Sequence, residues 1–238
     1  MTCSTSQKPT PTILLIGASR GLGFALAAEF LKVGWSVVAT VRGDARTDLH
    51  SLAEDHQDSV EIEQLDVTDL DQISDLRSRL SGRSFDILFV NAGTANKNQN
   101  ETIADVSTEE FVRVMVTNAL APMRVIEALQ NLVSDDGLIG IMSSGQGSIS
   151  NNESGGHEVY RGTKSALNQY MRSYAARHAG DRRALALIAP GWIRTELGGP
   201  DAPLTIEESI PDIVNVLLLK RERPGLEYLD RMGRAVPW

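Results

Sequence analysis

The sequence predicts an α/β protein in which a doubly wound, mostly parallel sheet carries helices on both faces. Short runs of β-branched and apolar residues alternate with amphipathic segments along the whole chain, as βαβ units require. The first run, TILLIG at 12–17, is continuously apolar, which is typical of a strand that is buried on both sides. Five further runs have a similar character: SVVATV, VEIEQLDV, DILFVNAG, GLIGIMSS and ALALIAPG.

The segment after the first strand predicts an amphipathic helix. Its apolar residues recur at helical spacing, and a glycine follows where a helix commonly ends. These residues are Leu22, Leu26, Phe30, Val33 and, at the end, Gly34.

Two kinds of segment between the later strands are informative. The stretch from Ser107 to Val133 predicts two helices that meet near Asn118 to Pro122. Polar, glycine-rich loops at 145–158 and 196–203 follow the carboxyl ends of predicted strands. Open α/β sheets bind ligands at that edge, so both loops are candidates for walls of a binding site.

Composition limits the classes of function. The 238 residues include 42% hydrophobic residues and carry a formal net charge of −8, which disfavours binding to nucleic acid or to anionic membranes. Cys3 is the only cysteine, so a disulfide within the chain is impossible, and no apolar run is long enough for a membrane span. We expect a cytoplasmic protein with a disordered tail at 1–11 and one domain at 12–238.

A glycine-rich turn, GASRGLG, lies at the first junction of a strand and a helix. Gly17 suits a tight turn, Gly21 a close approach of backbone to a diphosphate, and Gly23 close packing of the helix on the strand. The N-terminus of the helix adds unpaired N–H groups and a positive dipole end. The turn therefore predicts a dinucleotide site, although a glycine-rich turn can also exist without a ligand.

The end of the second strand indicates which nucleotide is preferred. NAD sites usually place a carboxylate there for the ribose 2′-hydroxyl, but this chain has Val41 followed by Arg42. Arg42, together with Arg20 in the glycine turn, can pair with a 2′-phosphate. We therefore expect NADP(H) in preference to NAD(H); the alternative is that both arginines are merely solvated.

Tyr160 and Lys164 form a candidate catalytic pair. Four residues apart on a helix, their side chains share one face. A nearby ammonium favours the phenolate, so Lys164 is expected to lower the pKa of Tyr160 and to prepare it for proton transfer. The same pair on an ordinary helix would have no function, so the prediction depends on residues elsewhere.

Supporting residues occur at the ends of three other strands and in the long helical segment. Ser144, or Ser143 in its place, can orient a substrate carbonyl, and the Asn118 side chain can hold a bent helix open and bind a water. The nucleotide can approach the small residues Asn91, Ala92 and Gly93, and the segment Pro190, Gly191, Ile193 and Thr195 can meet a carboxamide. Each of these has an ordinary structural explanation as a cap or turn, but their joint order along the chain does not.

From Thr12 onward the chain resembles the short-chain dehydrogenase/reductase family. The glycine turn, NAG, Asn118, the serine pair, YRGTK and PGWIRTE carry this resemblance. It implies that Ser144 orients the substrate oxygen, that Tyr160 is the acid/base, that Lys164 also binds the ribose, and that Asn118 holds a water for proton relay. LDV resembles the family's adenine-contacting turn, which implies contacts from Asp66 and Val67, although Asp66 can equally cap the next helix.

The resemblance defines the full set of expectations. We expect a single-domain Rossmann fold whose seven strands are ordered 3-2-1-4-5-6-7. The gap from Ser144 to Tyr160 is long for the family, and the loop, YRGTKSALN and the C-terminal segment resemble the carbonyl-reductase branch that includes C-factor and sniffer-like proteins. The nucleotide contacts expected are Gly17, Ser19, Arg20, Gly21, Leu22, Gly23, Arg42, Asp66, Val67, Asn91, Ala92, Gly93, Tyr160, Lys164, Pro190, Gly191, Ile193 and Thr195.

The predicted activity is NADPH-dependent reduction of a ketone or aldehyde, or the reverse oxidation of an alcohol. The alternatives are a protein that senses NADP(H) without turnover, and an epimerase or dehydratase on the same scaffold. A metal is not expected, because the histidines lack ligand spacing. The resemblance also implies a possible homodimer or homotetramer through the helices of 107–133 and 159–179.

Overall fold

The fold is built on a parallel sheet of seven strands in the order β3-β2-β1-β4-β5-β6-β7. The structure is a computed structural model, and it describes residues 10–238. All six neighbouring strand pairs are parallel. The predicted fold class and strand order are confirmed.

Helices and short helical turns connect the strands. The strands are β1 (Thr12–Ile16), β2 (Ser36–Val41), β3 (Val60–Gln64), β4 (Phe85–Val90), β5 (Val133–Met142), β6 (Ala184–Ala189) and β7 (Gly225–Asp230). The helices are α1 (Gly21–Lys32), α2 (Asp48–Asp55), α3 (Leu70–Arg79), α4 (Thr108–Met115), α5 (Ala121–Leu129), α6 (Glu158–Arg177) and α7 (Ile206–Arg221). A π-helical turn occupies Val116–Leu120, and 3-10 turns occupy Gln130–Leu132 and Gly145–Gly147.

Two apolar cores lie on opposite faces of the sheet because neighbouring strand residues point to opposite sides. Ile13 and Leu15 of β1 join the core beneath α1, α2 and α7, whereas Leu14 and Ile16 join the core beneath α3, α5 and α6. Burial on both sides explains why the strands are continuously apolar rather than alternating.

The predicted helix after β1 forms as α1. Leu26 and Phe30 are fully buried, but Val33 lies beyond the end of the helix and is exposed, so its place on the apolar face was wrong. Gly34 adopts a φ of +83°, a conformation that residues with a side chain rarely adopt, and ends the segment as predicted.

The predicted pair of helices between 107 and 133 is confirmed as α4 and α5. The π-helical turn between them contains Asn118, and Pro122 follows at the start of α5. A π-helical turn adds one residue to the helical repeat, and such turns are frequent at functional sites.

Residues 1–9, which include Cys3 and most of the predicted tail, lie outside the described residues. The boundary predicted at residue 11 moves, however, because the Pro11 carbonyl accepts a hydrogen bond from the Ser36 N–H at 2.9 Å. Pro11 therefore already belongs to the ordered fold.

Candidate active site

The candidate site lies at the carboxyl edge of the sheet, where β1 and β4 are neighbours. Chain order reverses between these two strands, and such a switch point opens a crevice in doubly wound folds. Gly17 follows β1 and Asn91 follows β4, and the Asn91 side-chain amide donates to the Gly17 carbonyl at 2.8 Å. This hydrogen bond fixes the two sides of the crevice relative to each other.

The glycine turn is tightly packed. Gly17 has a φ of +88°, and its N–H donates to the Thr40 hydroxyl at 2.9 Å. A Cβ on Gly23 would lie 2.0 Å from the Gly17 carbonyl oxygen and 2.7 Å from the Asn91 amide nitrogen. Gly21 has a φ of +56°, and a Cβ there would have open space around it. The tight turn at Gly17 and the close packing at Gly23 agree with the sequence analysis, and the approach of a diphosphate to Gly21 stays a prediction.

The N-terminus of α1 points into the same crevice. Arg20 is its N-cap residue and makes no side-chain hydrogen bond to the first turn, so the chain's own capping side chain does not occupy these N–H groups. Ser19 and Leu22 flank Arg20 and Gly21 and are partly exposed. A helix N-terminus whose N–H groups are left without a capping side chain commonly binds a phosphate.

The two predicted phosphate-binding arginines are in different situations. Arg20 forms an ion pair with Glu196, and both side chains are more than 70% exposed. Arg42 follows buried Val41, is exposed, and is absent from the ion pairs formed within residues 10–238. Asp44, the nearest carboxylate after Arg42 in the chain, accepts a hydrogen bond from the Gln64 amide at 2.9 Å.

Asp66 and Val67 lie at the predicted adenine turn, after β3. The Asp66 carboxylate accepts from the Thr68 N–H at 2.9 Å and from the Thr68 hydroxyl at 2.7 Å. The N-cap of α3 is Asp69, not Asp66. Asp66 therefore stabilises the turn itself, and the alternative that it caps the helix is wrong.

The Asn91–Gly93 segment connects the nucleotide crevice to the candidate catalytic residues. A Cβ on Gly93 would lie 3.5 Å from the Asn118 side-chain oxygen and 3.6 Å from the Lys164 ammonium nitrogen. Asn91 and Ala92 both donate their N–H groups to the Ile16 carbonyl, which holds the segment against β1.

Asn118 is fully buried, and its side chain forms hydrogen bonds with the backbone of Thr94, the residue after Gly93. Its oxygen accepts from the Thr94 N–H at 2.8 Å, and its amide donates to the Thr94 carbonyl at 2.8 Å and to the Thr163 hydroxyl at 3.0 Å. Both amide hydrogens are used in this way, and the side-chain oxygen keeps a second lone pair; the predicted water at Asn118 stays a prediction. Asn118 joins the π-helical turn, the Thr94 loop and α6.

The two serines after β5 have separate contacts. The Ser143 hydroxyl is buried and donates to the Asn168 side-chain oxygen at 2.6 Å. The Ser144 hydroxyl is partly exposed and accepts from the Gln146 N–H at 3.2 Å. Only Ser144 lies close enough to the Tyr160 hydroxyl to influence its pKa, so the geometry favours Ser144 over Ser143.

Tyr160 and Lys164 lie side by side in the first turns of α6. The Lys164 nitrogen is 5.8 Å from the centroid of the Tyr160 ring and donates to the Met142 carbonyl at 2.9 Å. Burial raises the pKa of Tyr160 to about 12, Ser144 offsets part of the rise, and Tyr228 adds to it. The net shift in the pKa of Tyr160 is therefore upward, opposite in direction to the lowering predicted from Lys164, and burial is its largest cause.

Burial also lowers the pKa of Lys164 from 10.5 to about 8. The folded chain then holds this proton less tightly than the unfolded chain does, so charged Lys164 reduces stability below pH 8. The reduction disappears as the pH rises from about 8 through 10.5. The difference between the two pKa values corresponds to about 3 kcal/mol.

Replacing Lys164 with methionine is therefore expected to raise the free energy of unfolding at pH 7. We expect a gain of about 1 to 3 kcal/mol, since the lost hydrogen bond to Met142 offsets part of the benefit. Denaturant unfolding at pH 7 and near pH 10.5 measures it, and the gain should vanish at the higher pH. Exposed Lys32→Met serves as the control, and an equal gain at both pH values would contradict the burial argument.

The segment after β6 forms the far wall of the crevice. Pro190 and Ile193 are buried, Gly191 has a φ of +93°, and the Thr195 hydroxyl accepts from the Gly198 N–H at 3.0 Å. Thr195 thus closes a turn in the 196–203 loop, and Ile193 pairs with Leu204. The predicted carboxamide-binding segment reaches the same edge as the glycine turn.

Sequence reasoning missed several residues that complete the site. Thr94 and Thr163 hold Asn118, Glu196 pairs with Arg20, and the Tyr228 hydroxyl donates to the Ser144 carbonyl. Glu196 was within the PGWIRTE motif, but nothing in the sequence indicates a partner 176 positions away from it.

Within residues 10–238, no helix has the length and apolarity that a membrane span needs, and His, Cys, Asp and Glu form no metal-binding group.

The fold places a glycine-rich crevice beside Ser144, Tyr160 and Lys164. Residues 17–212 match the family described as enoyl-(acyl carrier protein) reductase. A short-chain dehydrogenase/reductase from Burkholderia multivorans with bound NADP is 66% identical, with 97% of this chain and 100% of that chain covered and a TM-score of 0.96. The chain belongs to the short-chain dehydrogenase/reductase family and is an oxidoreductase.

Two further relatives agree with the predicted resemblance to the carbonyl-reductase branch. A carbonyl reductase from Pseudomonas aeruginosa PAO1 in complex with NADP is 33% identical, with 96% of this chain and 100% of that chain covered and a TM-score of 0.89. The C-signal protein of Myxococcus xanthus is 33% identical over 156 residues, which are 64% of this chain and 92% of that protein.

Proposed function

We propose that this protein is an NADPH-dependent oxidoreductase that reduces a ketone or aldehyde to an alcohol, or catalyses the reverse oxidation. The observation that carries the proposal is the convergence of Ser144, Tyr160 and buried Lys164 beside the glycine-rich crevice. The NADP bound to the similar structures from Burkholderia multivorans and Pseudomonas aeruginosa supports the choice of nucleotide.

Two features of the crevice support a dinucleotide. Only glycine can occupy position 23, and the first turn of α1 presents N–H groups to phosphate. In this proposal the diphosphate binds at 17–23, the adenine near Asp66 and Val67, and the carboxamide near the 190–195 segment. Asn91, Ala92 and Gly93 line the nucleotide between these ends, and Lys164 and Tyr160 bind the ribose.

Each catalytic side chain has a separate task. When bound, the nicotinamide supplies hydride to the carbonyl carbon or accepts it from the alcohol. Tyr160 transfers the proton to or from the substrate oxygen, and the Ser144 hydroxyl hydrogen bonds to that oxygen and orients it. Asn118 joins the Thr94 loop to α6, the helix that carries Tyr160 and Lys164.

The raised pKa of Tyr160 suits the direction of reduction. A phenol whose pKa is about 12 is protonated at neutral pH, so it is ready to donate a proton to a developing alkoxide. Charged Lys164 is most abundant below pH 8 and is then able to stabilise the phenolate that remains.

One experiment separates this function from its rivals. Purified protein is incubated with deuterium-labelled NADPH and a panel of ketones, aldehydes and an enoyl thioester, and the products are analysed for label. Deuterium on a carbinol carbon supports the proposal, whereas deuterium on a former C=C carbon favours the activity in the matched family's description. Tight binding of NADPH with no labelled product would favour a sensor, and product without label would favour an epimerase or dehydratase.

Replacing Arg42 with alanine is expected to weaken the preference for NADPH over NADH by about 10- to 100-fold. The loss of one charge-assisted contact to the 2′-phosphate costs about 1.5 to 3 kcal/mol. We assign this contact to Arg42 because Arg20 is already paired with Glu196. The ratio of kcat/KM with the two nucleotides measures the effect.

Arg46→Ala provides the matched control for that experiment. Arg46 lies in the same loop and is also exposed, but its guanidinium pairs with Glu54 at 2.6 Å. Its loss should leave the nucleotide preference unchanged. The assignment fails if both variants keep the preference of the original protein.

The predicted homodimer or homotetramer through the helices of 107–133 and 159–179 stays a prediction. Val112 and Tyr170, on α4 and α6, are 49% and 47% exposed and supply apolar surface for such a contact.

A further inference from the structure

A buried tyrosine of the last strand reaches the candidate catalytic serine. Tyr228 lies in β7 and is only 2% exposed. Its hydroxyl donates a hydrogen bond to the backbone carbonyl of Ser144, which is 84 positions away in the chain. The bond joins the edge strand of the sheet to Ser144, the second residue after β5.

Ser144 depends on side-chain contacts for its backbone conformation. The residue has φ −162° and ψ 146° and lies between the end of β5 and a short 3-10 turn. Its carbonyl accepts the Gly147 N–H at 2.8 Å within that turn, and the Tyr228 hydroxyl is its long-range partner. Tyr228 therefore fixes the peptide plane from which the Ser144 side chain projects.

A second contact supports the same segment from α6. The Asn168 side chain accepts from the Ser143 hydroxyl and donates to the Gly147 carbonyl at 3.2 Å. Asn168 and Tyr228 thus hold residues 143–147 from two sides. The Ser144 hydroxyl remains free to face Tyr160.

The C-terminal segment keeps the Tyr228 ring in place. The Trp238 ring lies 5.4 Å from the Tyr228 ring, and the Arg172 guanidinium lies 4.5 Å from the centroid of the Trp238 ring. The Trp238 carbonyl accepts from the N–H and the hydroxyl of Ser150, at 3.0 Å and 2.7 Å. These contacts connect the tyrosine to the long loop that follows Ser144.

We propose that Tyr228 is a positioning residue for Ser144 in the oxidoreductase reaction. The inference rests on the proposed function, because it assumes that Ser144 orients the substrate oxygen. A displacement of about 1 Å in a catalytic group can reduce a rate by about 10²-fold, so losing one hydroxyl that fixes Ser144 has a large effect on turnover. The Tyr228 hydroxyl bonds to the Ser144 backbone, so its loss acts on the orientation of Ser144. Tyr228 also raises the pKa of Tyr160, so the pH profile of kcat for Tyr228→Phe separates the two effects: a fall of equal size at every pH is the result expected for positioning.

Tyr228→Phe tests the proposal, because it removes the hydroxyl and keeps the ring. We expect kcat to fall by about 10- to 100-fold, while the dissociation constant of NADPH changes by less than about twofold. Tyr174→Phe is the matched control: Tyr174 is also buried, and its hydroxyl donates to the Gln130 side chain at 2.7 Å, outside the site. Both variants should lose similar stability, but only Tyr228→Phe should lose turnover.

Hydrogen exchange of the backbone amides of residues 145–150 provides a measurement that needs no substrate. Tyr228→Phe should accelerate exchange there, and Tyr174→Phe should not. Equal kcat in the two variants, or unchanged exchange at 145–150, would overturn the positioning role. If the original protein reduces no carbonyl compound but Tyr228→Phe still accelerates exchange, the proposed function fails while the structural link from Tyr228 to Ser144 stands.

Discussion

Replacing Tyr160 with phenylalanine is expected to reduce carbonyl reduction by about 10²- to 10⁴-fold, the usual contribution of a positioned general acid. The ring stays, so the packing of α6 is retained and only the proton donor is lost. Ser144 still orients the substrate oxygen, but no phenol remains to protonate it. Steady-state kcat, measured as loss of NADPH absorbance with any carbonyl compound that the original protein reduces, gives the size of the effect.

Tyr170→Phe is the control for this experiment. Tyr170 lies on the same helix, ten positions after Tyr160, and is 47% exposed. The Tyr170→Phe variant should reduce the carbonyl compound at the full rate. NADPH should bind both variants about as well as it binds the original protein. Turnover by Tyr160→Phe at more than about a tenth of the original rate would show that another group supplies the proton.

Replacing Gly23 with alanine is expected to damage both the fold and the nucleotide site. The added Cβ would lie 2.0 Å from the Gly17 carbonyl oxygen and 2.9 Å from the Ala18 Cα, so the glycine turn and α1 must move apart. Overpacking against side chains costs about 1 to 3 kcal/mol, and backbone atoms yield less easily. We expect the free energy of unfolding to fall by about 3 kcal/mol, with loss of NADPH binding.

Gly162→Ala is the control, because the change that we expect in its free energy of unfolding has the opposite sign. Gly162 lies within α6, and a Cβ there would meet nothing within 4 Å. Alanine in a helix is more favourable than glycine by about 0.5 to 1 kcal/mol, so this variant should be more stable. Denaturant unfolding measures both variants, and equal stability of Gly23→Ala and the original protein would show that position 23 has room for a side chain.

The fold was predictable because its signals are local. Continuous apolar runs such as 12–17 indicate strands buried on both faces, and the order of runs and helical segments indicates a doubly wound sheet. Gly17 and Gly23 were predictable for a similar reason, since the absence of a Cβ is a property of the residue itself. The two helices at 107–133 were also predicted, although the π-helical turn between them was not.

The contacts of the site residues were not predictable in the same way. Sequence reasoning singled out Asn118, but its partners Thr94 and Thr163 come from a loop and from another helix. It left Ser143 and Ser144 as alternatives, and the choice depends on Asn168 and Tyr228, which lie on α6 and β7. Side-chain hydrogen bonds across large sequence separations leave no periodic pattern in the chain.

The sequence by itself determined the fold class, the family resemblance, the glycine turn and the spacing of Tyr160 and Lys164. The tertiary structure alone decided which partners these groups have and in which direction their pKa values shift. It paired Arg20 with Glu196, and it placed Tyr160 and Lys164 where burial raises one pKa to about 12 and lowers the other to about 8. Desolvation depends on every atom packed around a group, and those atoms come from strands and helices that only folding brings together.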